Sequence, residues 1–174
     1  MAKLSTEILK EFRSFIDVKI KESIRMLEEQ DGFYPIMFSA TDQNVEAAEI
    51  DFNESTKQDC SRMICEHVKN PEIGAISLLY FGEAVVADKD RIICDNISEE
   101  LDVEQSIFAF IYTPEASYFR RIPVSKGIDG WVISADDGWV EIKNTLEGLF
   151  SNPWQYEMND EQVRKEIDEL TGGL

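Results

Sequence analysis

Positive charge is what this chain has least of. Its 17 lysines and arginines face 35 aspartates and glutamates, a formal net charge of −18 at pH 7. A surface this negative repels phosphate backbones and anionic lipid headgroups, which excludes nucleic acid and membrane as partners and favours basic proteins or cations. Histidine is reduced to His67 alone. The three cysteines, Cys60, Cys65 and Cys94, are an odd set in a chain of 174 residues, long enough to bury its own core without staples. Reduced thiols and a cytoplasmic location are the expectation. Long apolar runs are missing too. Segments such as 106–112 fall well short of the roughly 20 residues of a membrane span. The opening Met-Ala-Lys-Leu-Ser-Thr-Glu has no uninterrupted apolar stretch of the kind a secretory signal needs.

The signatures of chemistry are equally scarce. Neither paired C-x-x-C nor H-E-x-x-H occurs. On a helix through residues 56–69, Cys60 and His67 share a face, but Cys65 lies about 160° round from His67, so the three cannot converge from one helix. His67 is expected to face solvent near the helix C-terminus. No G-x-S-x-G elbow, P-loop or G-x-G-x-x-G is present. Among 35 acids some carboxylates fall close together by chance, so sequence spacing singles out no glycosidase-type pair. The acidic run 88–104 lacks the Asp-x-Asp-x-Asp-Gly register of a calcium loop and reads as a solvated linker. No metal and no cofactor is expected.

What is present is a folding pattern. Hydrophobic residues make up 43% and charged residues 30%, the balance of a folded soluble protein rather than a disordered one. The spacing of Ile8, Leu9, Phe12, Phe15, Ile16, Ile20, Ile24 and Leu27 predicts one amphipathic helix over 5–30, with Ser5 as N-cap, a staple between Leu4 and Leu9, and a stop at Gly32. Residues 33–40 and 45–52 flank a polar turn and predict a hairpin. A second helix over 56–69 follows, with Cys60, Met63, Ile64 and Val68 as its stripe and Asn70-Pro71 as its end. Residues 73–87 read as one long strand with a bend near Gly82, or a hairpin there. In residues 105–112, Ile107, Ala109 and Ile111 alternate with Phe108, Phe110 and Tyr112. A strand apolar on both faces is central and covered on both sides. Residues 117–124 return antiparallel. Asp129-Gly130-Trp131-Val132 is echoed by Asp137-Gly138-Trp139-Val140, which predicts a small hairpin turning over 135–138. Short helices follow at the C-terminal end.

The order α, β, β, α and then a run of strands predicts an α+β fold. It should hold a mostly antiparallel sheet of about five to seven strands, with the two early helices packed largely on one face. Residues 1–158 form a single domain, and 159–174 a C-terminal helix with a frayed tail.

Two functional readings follow. The first is a non-enzymatic binding module whose acidic face docks a basic protein, in the manner of an inhibitor or a charge mimic. Its contact residues would be Trp131 and Trp139 with Asp129, Asp136 and Asp137, together with Asp95, Glu99, Glu100 and Asp102 in the acidic connection. The second is a small enzyme or ligand-binding domain with a pocket between sheet and helix, lined by Tyr34, Tyr80, Tyr112, Tyr118, Arg120 and Arg121. Between them stands an assembly role as a homodimer through the first helix. The charge also has an address. Residues 1–30 hold six acids and six bases, while 31–105 hold 17 acids and five bases.

Overall fold

A stripe of side chains explains the first element. In α1 (Thr6–Gln30), Phe12, Ile16, Ile20, Ser23 and Leu27 are buried, at steps of four, four, three and four. That is one face of a 3.6-residue helix. Ser5 caps it, its Oγ accepting from the Ile8 N–H at 3.2 Å. Leu4 is buried in the same cluster that Leu9 packs against, as a hydrophobic staple requires. Ser23 is fully buried and returns its hydroxyl to the Ile20 carbonyl at 2.6 Å, which satisfies it inside the helix.

The computed structural model describes residues 3–30, 32, 33, 35–49, 57–88, 91–93, 103–134, 136, 138–142 and 152–154. Among these, α1 leads into β1 (Ile36–Ala40), β2 (Val45–Glu49), α2 (Lys57–His67), β3 (Ala75–Asp88), β4 (Arg91–Ile93), β5 (Val103–Tyr112), β6 (Ser117–Gly127), β7 (Gly130–Ile133) and β8 (Val140–Ile142). The strand order is β2-β1-β3-β5-β6-β7, with β4 also on β3 and β8 also on β6, and every pairing is antiparallel. The α+β class and the antiparallel sheet are therefore as the sequence reads. Residues 75–88 form one strand rather than a hairpin, with its irregularity between Val86 and Asp88 and not at Gly82. Ser55, which with Gln58 makes a capping-box pattern in the sequence, and the expected C-terminal helices lie outside the described residues.

Alternation along the strands gives the sheet two apolar faces. Ile107, Ala109 and Ile111 meet Phe38, Leu79, Ile122 and the α1 stripe in one cluster. Phe108, Phe110 and Tyr112 meet Met37, Ile76 and Leu78 in the other. Each large side chain fully buried in this way stabilises the fold by roughly 1.5–3 kcal/mol. On the second face Tyr80 stacks on Phe108 at 4.9 Å between ring centroids, and Phe110 lies 4.9 Å from Phe119.

The two early helices do not share a face, which corrects the sequence reading. Ile64 of α2 belongs to the Met37–Leu78 cluster, opposite α1. Helical periodicity shows that a helix has an apolar stripe and not which side of a sheet that stripe covers. A sheet apolar on both sides needs cover on both. His67 follows from the same placement. It lies one turn from Ile64, is half-buried, and shares a hydrogen bond with Ser39 Oγ on β1 at 2.9 Å, rather than facing solvent.

The Asp-Gly echo also folds differently from its expected form. β7 and β8 do not pair with each other; both pair with β6, β7 at Val124–Gly127 and β8 at Ser117–Phe119. Pro123 gives the reason. Its carbonyl accepts from the Ser134 N–H at 2.9 Å, so it points towards the β7 side. A strand residue directs its N–H and C=O to the same neighbour, and proline has no N–H to give. The ladder stops there, and β8 pairs with β6 further along, at Ser117–Phe119.

Candidate functional site

The segment between β7 and β8 is held by one arginine. Arg120 sits on β6, on the α1 side of the sheet with Ile122 and Val124. Its Nη1 donates to Asp17 Oδ1 of α1 at 2.7 Å. Its Nε donates to Asp136 Oδ2 at 3.0 Å, and its Nη2 pairs with the same oxygen. Asp136 Oδ1 accepts the Gly138 N–H at 2.8 Å. The Trp139 indole N–H donates to Asp17 Oδ1 at 2.7 Å, and the Arg13 guanidinium lies 5.6 Å from the Trp139 ring centroid. One helix, one strand and one loop are thus tied at a single point.

Charge follows geometry in this cluster. For Asp136 burial is the largest influence and would raise its carboxyl, but hydrogen bonds from Arg120 and the Gly138 N–H outweigh it and hold the group below its ordinary value of 3.8. The hydrogen bond to Asp136 and the two neighbouring carboxylates raise Arg120 further, against burial. The arrangement is a satisfied structural clamp, not a general acid or base awaiting a substrate.

The two tryptophans of the expected partner site fall into place around the clamp. Trp139 is half-buried and bound as above. Trp131 is half-buried against the α1-side core, edge-on to Phe81 at 5.7 Å between centroids. Asp129 is exposed in the β6–β7 turn. Asp137, Asp95, Glu99, Glu100 and Asp102 lie outside the described residues. The tyrosine and arginine set of the alternative pocket divides between the faces. Tyr118 and Arg120 stand on the α1 side, while Tyr80, Tyr112 and Arg121 stand on the other, because neighbours on a strand alternate. Tyr34 lies outside the described residues. The structure does not gather these six into one lining.

No family model, curated protein or solved structure matches this chain. The site is therefore read from its own geometry. Among the described residues no three His, Cys, Asp or Glu side chains come together as metal ligands, and no helix is long and apolar enough to cross a membrane.

Strand β7 is one of the two strands that end the sheet among the described residues. It ends the strand order and pairs only with β6 among the described residues. The Ser134–Pro123 bond fixes the phase of that ladder. Val132 turns its backbone groups inward to Ser125, and Trp131 and Ile133 turn theirs outward. The side chains beside this edge are aliphatic and uncovered. Val132 is 56% exposed and Ile133 47%, and Ile128 at the turn is fully exposed. Sequence reasoning fixed on the tryptophans here and passed over the β-branched residues next to them. The missed signal was the run Val132-Ile133 following a turn.

Proposed function

We propose that this protein is a non-enzymatic protein-binding module that pairs through strand β7 with an extended basic segment of another protein. The observation that supports this reading is the open edge itself, with outward backbone groups at Trp131 and Ile133 and uncovered aliphatic side chains at Ile128, Val132 and Ile133. Natural edge strands are normally blunted by charge, proline or cover. An edge left aliphatic suits strand addition, in which main-chain hydrogen bonds give affinity and alternate side chains give selectivity. The half-buried Trp131 packs against the α1-side core from β7 itself, and Asp129 offers a carboxylate at its turn.

Charge selects the partner. A molecule of net charge −18 draws a basic segment in by long-range attraction. It equally opposes pairing with a second copy of itself, which argues against the homodimer. A cytoplasmic setting belongs to the same proposal and rests on the odd number of thiols.

The test is fluorescence anisotropy with a labelled peptide of alternating lysine and valine, beside a glutamate–valine peptide as control. The basic peptide is expected to bind and to weaken as salt rises. Ile133→Pro removes an outward donor, and Val132→Asp removes aliphatic surface at an exposed position. Each should weaken binding by about tenfold or more. Equal binding of both peptides, or undiminished binding by both variants, would overturn the proposal.

A further inference from the structure

We propose a second site at the opposite end of the sheet, a cavity that takes an organic cation: a primary ammonium or guanidinium on a short apolar stem. A cavity of about 250 Å³ opens between the first turns of α1 and the β1–β2 turn. Ile8, Phe12 and Phe15 line it from the helix and Val45 from β2, while Glu11 and Asp42 bring two carboxylates. Neither carboxylate has an ion pair or hydrogen bond among the described residues.

The turn that forms one wall is closed by its own hydrogen bonds. Thr41 Oγ1 accepts from the Gln43 and Asn44 N–H groups at 3.2 and 3.0 Å, Asn44 Oδ1 accepts from the Val45 N–H at 2.9 Å, and the Thr41 N–H goes to the Asn44 carbonyl at 2.9 Å. Glu11 and Asp42 give the rim negative charge, and the walls offer apolar and aromatic surface. Those two requirements describe a cation with a hydrocarbon stem. Phe15 already receives such a group: the Lys19 ammonium lies 5.4 Å from its ring centroid, its charge offset by Glu22 at 2.9 Å. The volume lies below the 300–1,000 Å³ or so typical of drug-sized pockets, so the stem is short.

Because β2 and β7 end the strand order at opposite sides, this site and the β7 edge can each fail alone. An amide-resolved NMR titration with n-butylguanidinium and n-butylammonium should give saturable shifts at residues 41–45, and n-butanol should give none. The double variant Glu11→Gln, Asp42→Asn changes exposed positions only and should weaken binding by about tenfold or more, while Glu7→Gln, off the cavity, leaves it unchanged. A tripeptide with a central arginine separates the sources. Binding equal to that of butylguanidinium assigns the site to a protein side chain, and binding of the free cations alone assigns it to a small amine. Absence of saturable shifts with both cations, equal shifts with butanol, or undiminished affinity in the double variant would overturn the proposal.

Discussion

Arg120 shows how much one residue can join. Removing it as Arg120→Ala leaves the Asp136 carboxylate without its guanidinium and Asp17 with Trp139 alone. The cluster is partly open to solvent, so the cost is discounted to about 1–2 kcal/mol at neutral pH. The pH dependence has a definite sign. Asp136 is held below its ordinary 3.8 in the folded protein, so its contribution is complete above that value and is lost as pH falls through the folded value. Urea denaturation of both proteins should therefore show a stability gap that is steady from about pH 7 to about 5 and closes as pH drops from there towards about 3 and below. A gap that stays constant over that range would place the effect of the substitution outside the ion pair. Asn152 is the other residue that holds distant backbone. Buried, it donates to the Thr113 carbonyl at 2.8 Å and the Ala116 carbonyl at 3.2 Å, closing the turn between β5 and β6.

At the scale of elements, the β6–β7–β8 corner depends on two glycines whose backbone is left-handed, Gly130 at φ 122° and Gly138 at φ 74°. A Cβ at either position would meet nothing within 4 Å, so a substitution is opposed by conformation alone. Gly130→Ala and Gly138→Ala should each cost about 1–3 kcal/mol in thermal denaturation. Asparagine should recover much of that at 138, close to the left-handed helical region it tolerates, and little at 130. The same corner marks the limit of what was legible in the sequence. β5 was legible because burial on both faces writes apolar residues at every position from Ile107 to Tyr112. The β1–β2 hairpin was legible because its turn is local. The pairing of β8 was not, because the repeated Asp-Gly-Trp-Val suggests a hairpin locally, whereas the missing donor of Pro123 acts on a neighbour that sequence distance does not name. Arg120 stood in the sequence only as a candidate for a pocket lining, because its partner Asp17 lies 103 residues away and no spacing rule reaches that far. The open edge at Val132 and Ile133 was overlooked because exposure is a property of the finished sheet.

For the whole molecule, charge sets the terms. With 35 acids against 17 bases the folded chain repels itself more than the expanded one does. Raising salt from about 0.01 M to about 0.15 M shortens the screening length from roughly 30 to 8 Å. The Tm should rise, by roughly 2–4 °C for each kcal/mol of repulsion relieved in a chain of this size. Scanning calorimetry across that range checks it, and a Tm that falls with salt would show that attractive pairs such as Arg120–Asp136 outweigh the excess of acids.

The Arg120 clamp also has a place in time. Its partners come from α1 and from the loop before β8, with Asp17 and Trp139 separated by 122 residues, so its closure is expected to follow assembly of the sheet between them. A contact made that late leaves the rate of folding almost untouched and slows the reverse step instead. Arg120→Ala is therefore expected to speed unfolding and leave the folding rate almost unchanged, and stopped-flow measurement of both rates checks it.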